Sequence, residues 1–208
     1  MNWRKRMNKL ISLATVMSLF ILFSHPAGAV WTKLTEEQTN LAIAYGKTNK
    51  EADYLTFFKE WRVDLGYGKG AARVITPFSK VAFEAKNSPF EHVKLTPDDI
   101  NKLLEELKDR LAFGVSLYGD ELDFAKDCHA VLKYKDPYLR PQTLRPVEER
   151  HDKVAESSKS WPQSPAYRAI CYYYFDLHHV DPNITVTLEV SIPKGKTVEF
   201  TFDLSKIK

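Results

Sequence analysis

This chain has little of what usually marks an enzyme. Its 208 residues include two cysteines, Cys128 and Cys171, so there is no C-x-x-C pair. The dipeptide Cys128-His129 therefore lacks the second thiol that covalent c-type haem attachment requires. On a strand those two neighbours would point to opposite faces, which denies them a shared proton and any nucleophile-base role. There is no G-x-S-x-G elbow and no H-E-x-x-H helix. Gly66-Tyr67-Gly68-Lys69-Gly70 fits neither G-x-G-x-x-G nor G-x-x-x-x-G-K-[ST], and it is expected to be a flexible loop between helices rather than a phosphate cradle. Paired acids such as Glu36-Glu37, Asp98-Asp99 and Glu105-Glu106 sit at helix starts or on solvated helix faces, where capping and solubility account for them. No cofactor is indicated.

Long apolar runs are equally scarce. The longest, Leu10 to Phe23, has 14 residues, short of the roughly 20 that span a bilayer as a helix. It follows Arg4, Lys5, Arg6 and Lys9 and precedes Pro26 and Ala27-Gly28-Ala29. That order of charged, apolar and small-residue regions is a secretory signal peptide. Residues 1–29 are thus expected to be removed near Ala29, with export to the periplasm or the extracellular medium. No cysteine follows the cleavage point and no later run approaches spanning length, so no stable membrane anchor is expected.

An excess of one charge is missing as well. The first 29 residues carry four of the 30 Lys and Arg and none of the 27 Asp and Glu, which leaves 26 against 27 from Val30 onward. A nucleic-acid partner needs a concentrated basic surface, and composition supplies none.

What is present is a chain of ordinary globular composition with 12% aromatic residues. From residue 30 to residue 208 it is long enough for a single domain with a sizeable core. The first part, about 30–112, reads as helical. Thr35 with Gln38 forms a capping box ahead of a helix to about Lys47. Tyr54, Phe57, Phe58 and Trp61 recur at helical spacing and predict a helix over about 51–63. Thr76-Pro77 opens a helix to about Lys86. Thr96-Pro97-Asp98-Asp99 opens another, whose apolar stripe runs from Ile100 to Leu111.

The period then changes. Residues 112–118 suit a strand, residues 124–132 suit either state, and residues 167–177 suit a central strand buried on both faces. Ile184 to Ile192 and Val198 to Leu204 alternate apolar and polar about the Pro193-Lys194-Gly195-Lys196 loop, the pattern of an antiparallel hairpin with one solvated face. Between these parts, about 136–165, lie Pro137, Pro141, Pro146, Pro162 and Pro165 among charged residues, a composition that predicts a long surface connection. The fold class is α+β: an N-terminal helical region packed with a C-terminal antiparallel sheet over about 166–208. Either the helices or a second sheet, giving a sandwich, must cover the inner face.

Three sets of side chains carry candidate chemistry. Cys128 and Cys171 form a candidate disulfide that closes a loop of about 44 residues, worth roughly 3–4 kcal/mol in an oxidising compartment. The alternative is two buried thiols. Asp176, His178, His179 and Asp181 are the candidate metal ligands. A strand gives each face two of them at most, where zinc needs three or four, so His92, His129 or His151 would have to join from elsewhere. The competing reading is a polar strand end entering the Asp181-Pro182-Asn183 turn. Tyr172 and Tyr174 share one strand face and would make a ligand platform if that face were open; otherwise they belong to the core.

These features predict an exported binding or interaction module without catalytic machinery, acting on a protein or small-molecule partner in the export compartment. The alternative is an exported hydrolase or metal-dependent enzyme whose site assembles only in the fold. A structural envelope component is the third reading.

Overall fold

The computed structural model describes residues 32–88, 95–136 and 138–208. The expected leader over residues 1–29, together with His92 and Pro137, lies outside the described residues. Two antiparallel sheets dominate. The first is ordered β1 (Arg62–Asp64), β2 (Ala71–Ile75), β3 (Arg110–Gly119), β8 (Tyr167–Asp176) and β6 (Glu148–His151), with β7 (Glu156–Ser157) pairing the other end of β8. The second is ordered β10 (Lys196–Asp203), β9 (Thr185–Ile192), β4 (His129–Lys135) and β5 (Pro141–Leu144). Among the described residues four α-helices precede or interrupt the strands: α1 (Glu36–Thr48), α2 (Tyr54–Phe57), α3 (Pro77–Asn87) and α4 (Pro97–Leu104). Among the described residues no helix is long and apolar enough to cross a membrane.

The α+β class stands, and a second sheet covers the inner face. Leu111, Phe113, Val115 and Leu117 of β3 point into one buried core with Val186, Leu188 and Val190 of β9. Phe113 meets Phe202 of β10 with ring centres 5.3 Å apart. Strict alternation puts the intervening residues of β3 and β8 on the opposite, outer face of the first sheet. Helices α3 and α4 lie against part of that outer face, where Leu107, Ala112 and Tyr174 form a small second core.

Helix starts follow the expected chemistry. Thr35 Oγ1 accepts from the Gln38 amide at 3.2 Å while Gln38 Oε1 accepts from the Thr35 amide at 2.9 Å. Thr76 and Thr96 form the same reciprocal boxes with Ser79 and Asp99, each followed by proline. The β9–β10 hairpin pairs in full register from Thr185↔Asp203 to Ile192↔Lys196, its turn carried by Lys194 and Gly195 at positive φ.

Several expectations are corrected. The helix predicted over 51–63 is one turn, α2, then a 3₁₀ turn at Lys59–Trp61 and the strand β1. Phe57, Phe58 and Trp61 do bury, but against α1 and α3 across an aromatic cluster, and tertiary packing outweighs helical spacing in so short a segment. The glycine segment is not an inter-helix loop. It turns the β1–β2 hairpin, with Leu65 N–H donating to the Gly70 carbonyl at 3.0 Å and positive φ at Gly66, Gly68 and Gly70, conformations that glycine adopts without strain. Leu111 belongs to β3 rather than to the α4 stripe, because α4 ends at Leu104, a 3₁₀ turn ends at Leu107, and extended Lys108 with Asp109 at φ 54° turns the chain into the strand. The proline-rich segment supplies β5, β6 and β7. All three are edge strands, the positions where proline and charge are tolerated.

Candidate functional site

The outer face of the first sheet is hollowed where the helices leave it. Registers align Arg73, Gly114, Tyr172 and Arg150 across β2, β3, β8 and β6, and align Ile75, Ala112, Tyr174 and Glu148 one step along. A pocket of about 510 Å³ lies between this face and the residues Lys80, Phe83 and Glu106. A second, of about 560 Å³, extends it toward Tyr54 and Arg62 over Ala71, Gly114 and Ser116. Arg73, Phe83, Ile170 and Tyr172 line both, so the two form one groove. Its floor is small by composition: a Cβ added at Gly114 would sit 3.3 Å from the Tyr172 ring, and glycine leaves that ring room to lie across the strand.

The two candidate platform tyrosines occupy different environments. Tyr172 is half-buried and lines the groove. Tyr174 is 3% exposed, its hydroxyl donates to Glu106, and the Arg150 guanidinium lies 4.9 Å from its ring centre. Burial and the hydrogen bond to Glu106 push the Tyr174 hydroxyl pKa up.

A chain of ion pairs closes this end of the groove. Lys80 Nζ is 2.7 Å from Glu106, Arg150 is 2.7 Å from Glu106 and 2.6 Å from Glu148, and Arg110 is 2.6 Å from Glu148. The hydrogen bonds from Lys80 and Tyr174 hold the Glu106 carboxyl at about 2, against an ordinary 4.5. A carboxylate depressed in the folded state contributes stability that is complete above its unfolded pKa and is lost as pH falls toward the folded value. Glu106 is about one-third exposed, so solvent screening reduces that contribution to about 1–2 kcal/mol. The urea midpoint is expected to be level above about pH 5 and to decline from about pH 4.5 to 2. Glu106→Gln should flatten that decline. An unaltered pH profile in the variant would show that this carboxylate is not the titrating group.

Two arginines in the groove stand apart from the network. The Arg73 guanidinium lies 4.0 Å from the Phe58 ring centre, and burial pushes its pKa down, although an arginine remains charged. Arg168 also lines the groove, and its Nε is shielded from solvent without a hydrogen-bond partner.

The remaining candidates lie elsewhere. Asp176 Oδ1 accepts from the His178 amide at 2.9 Å and pairs with His178 Nδ1 at 2.8 Å, while His179 Nε2 is 3.7 Å from Asp176 Oδ2. Asp181 accepts from the Asn183 amide at 2.8 Å and holds the following turn. Among the described residues no three His, Cys, Asp or Glu side chains are grouped to hold a metal ion. His129 and His151 face each other instead, ring centres 6.5 Å apart, with His129 Nδ1 2.9 Å from Glu149. Burial pushes the His151 pKa down.

Cys128 and Cys171, the candidate disulfide pair, are unbonded in this structure. The fold nevertheless brings the two wholly buried side chains close enough for each to shift the other's ionisation, while the Cys128 thiol donates to the Phe124 carbonyl at 3.6 Å. Proximity is a property of the fold, whereas the bond itself needs an oxidant. The neighbouring Cys128 and burial push the Cys171 thiol up.

Arg73, Gly114, Ser116 and Arg168 were missed from the sequence. Period-two reading of β8 would have placed Arg168 on the Tyr172 face. Arg73 had no such signal, because β2 was hidden in the presumed helical part.

No family model matches the chain, and no curated protein matches it. Solved structures similar to parts of it include the archaellum periplasmic stator protein complex FlaF and FlaG from Sulfolobus acidocaldarius. It is 14% identical over 45% of this chain and 77% of that one, with a TM-score of 0.25. The archaellum periplasmic stator protein FlaG from the same organism gives 14% identity over 45% of this chain and 86% of that one, also with a TM-score of 0.25. Superpositions this slight carry neither fold nor function across.

Proposed function

We propose that this protein is an exported binding module whose ligand lies in the groove over the outer face of the first sheet, on the Tyr172 ring. The observation that carries the reading is the groove itself: two joined hollows of about 510 and 560 Å³, each within the range of ligand pockets. Their mixed lining of aromatic, small and charged side chains suits a ligand with an apolar body. The exported setting rests on the leader over residues 1–29, and the protein or small-molecule partner belongs to that compartment.

The neutral dye N-phenyl-1-naphthylamine tests the groove. The protein is expected to enhance its fluorescence saturably, and Tyr172→Ala should weaken binding about fivefold or more through lost aromatic contact. The variant should keep its circular-dichroism spectrum, because Tyr172 is not in the main core. Absence of binding, or binding indifferent to Tyr172→Ala, would overturn the reading.

A further inference from the structure

We propose that the ligand of this groove is a small organic anion, an apolar or aromatic body bearing one carboxylate, sulfonate or phosphate, whose charge is taken by Arg73 and Arg168. The inference rests on the groove reading above and adds the chemistry of the occupant.

The argument begins with charge. The hollow over Ala71, Gly114 and Ser116 is lined by Arg62, Arg73 and Arg168 and by no acidic side chain. Arg62 is already engaged, with Asp64 at 2.5 Å. Among the described residues no carboxylate pairs with Arg73 or Arg168. The groove's other cations are paired: Lys80 and Arg150 share Glu106, and Arg150 also holds Glu148. The two unpaired arginines therefore make this hollow the positive end of the groove, whose remaining acids, Glu84 and Asp152, line the adjoining hollow.

Hydrogen bonding points the same way. The Arg168 Nε is buried and has no acceptor. A charged group short of acceptors is costly, and Arg168, half-buried on the wall of the hollow, gains from an anion that its remaining N–H groups reach. The Arg73 guanidinium lies over two rings, 4.0 Å from the Phe58 ring centre and 5.7 Å from that of Tyr54. These ring contacts hold the guanidinium without using its N–H donors. A planar fork of that kind matches carboxylate, sulfonate or phosphate oxygens.

The floor sets the rest of the ligand. Ala71, Ile170 and the Tyr172 ring offer an apolar surface, and the hollow of about 560 Å³ has the size of a small-molecule site rather than a flat protein interface. The groove runs over a sheet face, not along an unpaired edge, so strand addition by a peptide has no backbone to pair with.

Two dyes with the same ring system separate this inference from the groove reading. The anionic probe is 8-anilino-1-naphthalenesulfonate and the neutral one is N-phenyl-1-naphthylamine. Wild-type protein should bind the anionic dye more tightly, with affinity falling as sodium chloride rises, while the neutral dye is insensitive to salt. Arg73→Met and Arg168→Met keep the apolar stem and should each weaken the anionic dye about tenfold, the scale of one charged hydrogen bond. Neither should move the neutral dye by more than about twofold. Equal affinities, or arginine variants that leave the anionic dye unchanged, overturn the anion while the Tyr172→Ala result still supports the groove. Failure of both dyes to bind overturns both. The salt titration on the wild-type chain decides the matter even if an arginine variant fails to fold.

Discussion

Refolding the protein in a glutathione redox mixture is expected to join Cys128 to Cys171 and to raise its melting temperature by about 8–16 °C. The two thiols are wholly buried and close enough to shift each other's ionisation. Closing a loop of about 44 residues restricts the unfolded chain by about 4 kcal/mol. For a domain of this size each kcal/mol is worth about 2–4 °C. Burial shields both once the protein is folded, so the oxidant must act during refolding. Loss of two hydrogens by mass spectrometry identifies the product, and Cys128→Ala should abolish both the mass change and the gain. A bridged product that melts no higher would mean that the bond strains the sandwich by as much as it restricts the unfolded state.

Gly46→Ala is expected to destabilise the protein by about 3 kcal/mol or more, against the usual direction for that substitution in a helix. In an exposed helix interior the change gains about 0.5–1 kcal/mol. Here α1 crosses α3 on small residues. A Cβ at Gly46 would lie 2.1 Å from the Ala82 carbonyl oxygen and 3.0 Å from the Ala85 Cβ. Those neighbours are backbone and a fixed methyl, so relief requires the helices to separate. Separation loosens Tyr45 from Phe57, Trp61 and Phe78, whose ring centres lie 5.4 to 6.0 Å away. Overpacking of this kind costs about 1–3 kcal/mol where side chains can yield and more where backbone is met. Chemical denaturation of the variant measures the loss. An unchanged or raised midpoint would show that α1 does not rest on α3 in this way.

The elements legible in the sequence are those governed by neighbours a few residues away. Thr35, Thr76 and Thr96 were readable as caps because a capping box is completed within four residues. The β9–β10 hairpin was readable because its alternation is unbroken and its turn is short. Leu111 was misplaced because a leucine in helical phase with Ile100 fits a strand core equally well. The aromatics from Tyr54 to Trp61 suggested one long helix for a related reason: Phe57, Phe58 and Trp61 are buried by α1 and α3, and burial alone does not fix the backbone that presents them. The proline-rich segment was read as a connection because its strands carry charge and proline, which edges permit and centres do not.

The sequence by itself determined the α+β class, the three capped helix starts, the alternating hairpin and the expectation of export. Each follows from spacing, capping chemistry or composition. Tertiary structure decided that a second sheet would close the core, that Cys128 and Cys171 would lie close together, and that Arg73 and Arg168 would share a groove with Tyr172. These outcomes depend on the register between strands far apart in the chain: Arg73 meets Gly114 and Gly114 meets Tyr172 across three strands. A slip of one residue in either pairing would turn that face toward the core. Register is set by the packing of the whole sandwich, which no local stretch of this chain encodes.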